Sequence, residues 1–121
     1  MSVRYGMISV ASITDRFMHA VLENGDVITA VASRSLTKAK QKADQYGIKR
    51  AYSSYEDVYR DNDVDIVYIA VNNANHSREV KSALQHGKHV LCEKPIALCA
   101  EDAEELFTYA RKQGLFLMEA Q

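Results

Sequence analysis

Ile66-Val67-Tyr68-Ile69-Ala70-Val71 is an unbroken apolar run of strand length. A strand with one face in water alternates apolar and polar side chains, so a run without alternation is covered on both faces. Parallel sheets meet that condition, because the connections between their strands lay helices on each side. Upstream, the same grammar recurs. Val3 to Val10 is a short apolar run. From Ser12 the pattern changes, with Ile13, Phe17, Ala20 and Val21 at helical spacing until Asn24-Gly25 stops it. Asp26 to Ala32 reads as the next strand. Leu36, Ala39, Ala43 and Tyr46 then mark a second helix, closed by Gly47. Ser53-Ser54-Tyr55-Glu56 has the form of a capping box, in which a serine oxygen and a glutamate carboxylate satisfy free N–H groups at the start of a short helix.

Downstream, Val80, Ala83 and Leu84 mark a helix that Gly87 ends, and His89 to Cys92 is the next strand. The last helix carries Glu101, Asp102, Glu104 and Glu105 near its start and Arg111 and Lys112 near its end, an order that complements the helix dipole. Gly114 closes it, and Leu115-Phe116-Leu117-Met118 reads as a final strand. Strands separated by helices predict right-handed βαβ units, an α/β fold with a doubly wound parallel sheet, in one domain over residues 1–121.

Composition agrees with that class. Of 121 residues, 47% are hydrophobic and 26% charged, the balance of an ordinary globular domain able to bury a core. The net charge of −1, without a basic stripe, gives no electrostatic support to nucleic-acid or membrane-surface binding. Two cysteines, Cys92 and Cys99, make neither a disulfide framework nor metal-ligand spacing, so a reducing cytoplasm is expected. No signal peptide and no apolar run of membrane-spanning length is read.

In open α/β sheets, ligands bind beyond the carboxyl ends of the strands, and four such ends carry informative residues. After the first strand, where a dinucleotide fold places G-x-G-x-x-G/A, the chain reads Ser9-Val10-Ala11-Ser12-Ile13-Thr14. Every glycine is replaced, chiefly by small residues. The backbone can still approach a pyrophosphate at the helix N-terminus, but without glycine the turn is expected to keep ordinary dihedrals. Ser9, Ser12 and Thr14 can equally be cap or turn residues. After the second strand stands Ala32-Ser33-Arg34-Ser35, where an acid would bind a ribose 2′-hydroxyl. A serine and a guanidinium there suit a 2′-phosphate and favour NADP over NAD. The alternative is that Ser33 or Ser35 caps the next helix and Arg34 is solvated. After Val71 comes Asn72-Asn73-Ala74-Asn75-His76, in which Asn73 can bond ribose or nicotinamide edges and Asn75 or His76 can cap a helix. A fourth end, Cys92-Glu93-Lys94-Pro95, places an acid and a lysine before the single proline of the chain.

Several segments together resemble the nucleotide-binding domain of the glucose-fructose oxidoreductase / inositol dehydrogenase (Gfo/Idh/MocA) family. They are Arg4 to Ile8, Ala11-Ser12-Ile13 with Arg16-Phe17, Ala30 to Arg34, Asp63 to Ala70, Asn73 to His76, Gly87 to Pro95 and Phe116 to Ala120, with Glu93-Lys94-Pro95 the most specific. The resemblance implies a Rossmann fold that binds NADP, or alternatively NAD, and hydride transfer between the nicotinamide and a sugar, polyol or related carbonyl. It implies a catalytic Lys94 beside the nicotinamide, relaying a proton and stabilising negative charge. Ser9, Ala11, Ser12 and Ile13 carry over as contacts at the phosphate turn, Ser33 and Arg34 at the adenosine end, and Val71, Asn73 and His76 as further cofactor contacts, with Glu93 among them and helping to hold the geometry around Lys94. The chain departs from the family in its glycine-free turn and in Val71-Asn72, where Thr-Pro is common. The family's second domain, which supplies the substrate pocket and much of the oligomer interface, is expected to be missing. The chain therefore reads as a fragment that binds cofactor without turnover. A stand-alone NAD(P)-sensing module is the competing reading.

A receiver-type signalling domain fits the length and alternation, but it needs acids after the first strand, where Ser9-Val10 stands. A methyltransferase calls for an acid where Arg34 stands.

Overall fold

The computed structural model describes residues 3–9, 12–71, 75–93 and 96–120, with the backbone alone at Ser12, Ile13 and Ala120. In chain order the elements are β1 (Arg4–Ile8), α1 (Ser12–Glu23), β2 (Val27–Ala32), α2 (Leu36–Tyr46), β3 (Arg50–Tyr52), α3 (Tyr55–Tyr59), β4 (Ile66–Ile69), α4 (His76–Gln85), β5 (His89–Glu93), α5 (Ala100–Lys112) and β6 (Leu117–Ala120). The strands form one sheet in the order β3-β2-β1-β4-β5-β6, and every pairing is parallel. The chain thus builds outward from β1 in one direction and, after β3, crosses back to build outward in the other, as in doubly wound nucleotide-binding folds.

The run that decides the fold lies in β4, beside β1 at the centre of the sheet. Its side chains alternate between two cores, as the pleat requires. Val67 and Ile69 pack with Val58, Val80, Leu84 and Leu106 from α3, α4 and α5. Tyr68 packs with Met18, Val21 and Ala43 from α1 and α2. Gly6 in β1 is needed for one of these layers. A Cβ there would stand 2.5 Å from Val58 Cγ1 and 3.0 Å from Val64 Cγ1, so its absence lets α3 press directly on the central strand.

Five details differ from the sequence reading. The first strand ends at Ile8 rather than Val10, and β4 ends at Ile69 rather than Val71. β3 was not expected; its three residues are all half-buried, so no apolar run marks it. The capping box does not form. Ser54 occupies the N-cap of α3 without a side-chain cap bond, and Glu56 instead pairs with Arg60 one turn on at 2.9 Å. The final strand lies two residues later than expected, because Gly114 (φ +69°) and the Leu115 N–H to Ala110 O bond of 2.9 Å still belong to the end of α5. Among the described residues, no helix is long and apolar enough to cross a membrane.

Candidate cofactor cleft at the carboxyl edge of the sheet

Ser9 leaves β1 with φ +87°, the one non-glycine residue in the left-handed region among those described. The expectation of ordinary dihedrals is therefore overturned. Its N–H donates to Ala32 O at 2.8 Å, which ties the end of β1 to the end of β2 while the chain bends toward α1. Three residues later Ser12 opens α1, and the start of that helix turns its backbone N–H groups toward the same edge. The side chains of Ser12 and Ile13 and all of Ala11 lie outside the described residues.

At the end of β2, Ser33 is buried, and its backbone N–H donates to Tyr52 O at 3.1 Å. Its Oγ accepts from Ser35 N–H at 3.2 Å, and Ser35 in turn caps α2 by accepting from Lys38 N–H at 3.3 Å. The capping role thus falls to Ser35. Ser33 and Arg34 line a cleft of about 550 Å³ together with Ser9, Lys38, Lys42 and Tyr55. The Lys42 charge is engaged, with Nζ 2.7 Å from Asp15 Oδ1. That contact, aided by the Tyr46 hydroxyl, holds the Asp15 carboxyl below its ordinary range against an opposing effect of desolvation. Arg34 and Lys38 have no ion-pair partner among the described residues. The sequence reading missed Lys38; its place one helical turn beyond Arg34 was the available signal.

At the other side of the edge, His76 is 1% exposed, and its Nε2 lies 2.6 Å from Val71 O. A carbonyl only accepts, so Nε2 carries the proton and the imidazole clasps the end of β4 to α4. Asn75 takes the N-cap position of α4 without a side-chain cap bond. Asn73 lies outside the described residues.

Glu93, the last residue of β5, accepts through Oε2 a hydrogen bond from the Tyr68 hydroxyl. The adjacent Cys92 is fully buried; burial first, then Glu93 and Glu119, push its thiol up to about 12. It is a core residue and a poor nucleophile. Lys94 and Pro95 lie outside the described residues. Beyond them, Ile96 is buried, and its N–H donates to Glu119 Oε2 at 3.0 Å. The chain is therefore anchored to the sheet on both sides of that pair. The role of Glu119 depends on the β5–β6 register and has no local sequence signal.

The edge thus offers backbone donors at a helix start, two cations without an ion-pair partner among the described residues and the buried Ser33 hydroxyl, beside the point where strand order reverses. This donor set fits a phosphorylated dinucleotide: the donors suit a pyrophosphate and the cations a further phosphate.

Comparison with known proteins agrees. Residues 3–121 match the family described as oxidoreductase family, NAD-binding Rossmann fold. The chain is 40% identical over 124 residues to trans-1,2-dihydrobenzene-1,2-diol dehydrogenase of Macaca fuscata fuscata and of Homo sapiens, covering 99% of this chain. Among solved structures, KijD10, a 3-ketoreductase from Actinomadura kijaniata in complex with TDP-benzene and NADP, superposes with a TM-score of 0.92 at 37% identity. That match covers 98% of this chain and 38% of the reductase. The chain spans 37% of the length of the dehydrogenases it matches.

Proposed function

Because the chain belongs to the Gfo/Idh/MocA oxidoreductase family through its NAD-binding Rossmann domain, we propose that it binds NADP along the carboxyl edge of its sheet and serves an oxidoreductase acting on a sugar, polyol or related carbonyl. The observation that carries this reading is the cleft where Ser33, Arg34 and Lys38 converge beside the Ser9 turn. Arg34 and Lys38 take the 2′-phosphate, with the Ser33 hydroxyl as a further donor. The backbone at Ser9, Ala11, Ser12 and Ile13 takes the pyrophosphate at the start of α1. Val71, held by His76, and Asn73 border the nicotinamide side, and Glu93 accepts a hydrogen bond there.

When bound, the nicotinamide supplies the hydride chemistry. The chain's own contribution to the reaction is Lys94, which as the ammonium gives a proton to the substrate oxygen and stabilises the negative charge that develops on it, and as the free amine takes a proton in the reverse direction. The substrate class is supported by the trans-1,2-dihydrobenzene-1,2-diol dehydrogenases and by the 3-ketoreductase solved with TDP-benzene and NADP among the relatives. The free cysteines Cys92 and Cys99 support a reducing, cytoplasmic setting.

Calorimetric titration with NADPH and NADH tests the cofactor assignment. NADPH is expected to bind at least about tenfold more tightly, the worth of one charge-assisted contact. Arg34→Ala with Lys38→Ala is expected to remove that preference while leaving NADH affinity within about twofold. Tighter binding of NADH by the unmodified chain overturns the assignment.

A further inference from the structure

Tyr68 and Glu93 make a contact that cofactor binding, as proposed so far, does not explain. Tyr68 stands opposite Leu91 in the β4–β5 register, so Glu93 lies two residues further along β5 on the same face. That diagonal spacing is within reach of an aromatic side chain. The Tyr68 ring is 1% exposed, and its hydroxyl donates to Glu93 Oε2. Phe17 of α1 stacks on the ring at 3.9 Å with 6° between planes, and Tyr5 meets Phe17 edge-on at 5.6 Å. The phenol cannot swing away without breaking the stack. Burial first, and then Glu93, raise the Tyr68 pKa, so the hydroxyl remains a donor throughout the neutral range. A phenylalanine would fill this apolar layer without burying a hydroxyl that then needs a partner. The partner it has is a half-buried carboxylate at the edge of the sheet, whose Oε1 has no hydrogen-bond partner among the described residues.

We propose that Tyr68 is a positioning residue: clamped by Phe17, it fixes the Glu93 carboxylate so that Oε1 accepts a hydrogen bond from a ribose hydroxyl or the carboxamide N–H of the nicotinamide half of the dinucleotide. The proposal rests on the cofactor reading above. It also explains why a buried phenol interrupts the most apolar strand of the sheet.

The test is a calorimetric cycle of the unmodified chain, Tyr68→Phe, Glu93→Ala and the double variant. Each is titrated with NADPH and with adenosine 2′,5′-bisphosphate, which lacks the nicotinamide half. Tyr68→Phe is expected to weaken NADPH binding about tenfold, the scale of a hydrogen bond to a charged group, and to leave the bisphosphate within about twofold. In the Glu93→Ala background, Tyr68→Phe is expected to have no further effect on NADPH. Phe17→Leu offers a second route, because it removes the stacked ring and leaves the Tyr68–Glu93 pair intact. It is expected to weaken NADPH about threefold, again only when Glu93 is present. Equal losses for both probes, equal losses with and without Glu93, or no loss from Glu93→Ala each overturn the role of Tyr68 while leaving the cofactor assignment standing. If the unmodified chain binds neither probe, the cofactor reading fails and the role of Tyr68 fails with it.

Discussion

Ser9 occupies the turn where nucleotide-binding folds place their first glycine, and it adopts the dihedral that glycine would supply, φ +87°. No residue in Ser9-Val10-Ala11-Ser12-Ile13-Thr14 advertises this conformation, so the sequence points the wrong way. The cause is tertiary. Ser9 N–H is held by Ala32 O, and the chain must still turn from the end of β1 into α1. A side chain in that region costs about 1–2 kcal/mol, from the approach of Cβ to the following carbonyl. Ser9→Gly removes that cost but gains freedom in the unfolded chain, worth about 0.4–1 kcal/mol in the opposite direction. The net expectation is a chain more stable by up to about 1.6 kcal/mol. Ser9→Val, with a β-branched side chain in the same conformation, is expected to lose about 2 kcal/mol. Urea denaturation of the three chains measures both, and a Ser9→Gly variant clearly less stable than the parent would contradict the assignment of strain.

At the scale of elements, what was legible depended on how local each signal is. β4 could be read because burial on both faces leaves a continuous apolar run, and the place of Ser33-Arg34 beside the cleft because the end of β2 is a defined position in the fold. β3 could not be read: its hold on the sheet comes from neighbours. Arg50 NH1 lies 2.8 Å from Asp61 Oδ1, Tyr52 OH donates to Asp61 Oδ2 at 3.0 Å, and Arg50 NH2 lies 2.8 Å from Asp63 Oδ2. The same loop is tied to β1 through Arg4, whose Nε and NH2 donate to Asp65 at 3.0 and 2.9 Å. The buried Lys88 ammonium holds it too, donating to Asp61 O and Val64 O at 2.7 and 2.6 Å. Hydrogen bonding from Arg4 lowers the Asp65 pKa. Burial pushes Asp61 upward, but the Asp63 N–H, Arg50 and Tyr52 outweigh it and leave its pKa lowered. A carboxyl whose pKa falls on folding takes up its proton more readily in the unfolded chain. Its stabilisation is therefore complete above the ordinary carboxylate pKa of about 4 and is lost as pH falls through and below that value. The urea midpoint is expected to drop steadily between about pH 5 and pH 3. In Asp65→Asn the protein should start less stable at neutral pH and lose less on acidification. An unchanged slope in that variant would show that Asp65 takes no part in the linkage. The Tyr68–Glu93 contact was illegible for a similar reason, since it exists only once β4 and β5 are in register.

The whole molecule is organised around the reversal of strand order between β1 and β4. The chain leaves β1 for β2 on one side and reaches β4 on the other only after β3 and α3, so the two loops at the carboxyl edge diverge and open a crevice. The proposed ligand groups come from both halves: Ser9, Ser33, Arg34 and Lys38 from the β1–β2 side, and Val71 and Glu93 from the β4–β5 side. A dinucleotide bound along this edge would bridge elements that otherwise meet chiefly through the β1–β4 ladder. Binding should therefore stabilise the domain as one unit, and the stabilisation follows mass action. At a ligand concentration about one hundred times Kd it amounts to roughly 2.7 kcal/mol. For a domain of this size that is a rise in Tm on the order of 10 °C. NADPH is expected to produce the larger shift and NADH at equal concentration a smaller one, while adenosine 2′,5′-bisphosphate, which reaches only the β2 side, should fall below NADPH. Scanning calorimetry gives the order directly. A bisphosphate shift equal to that of NADPH would confine binding to the Ser33–Arg34–Lys38 cleft and remove the β4–β5 side from the site.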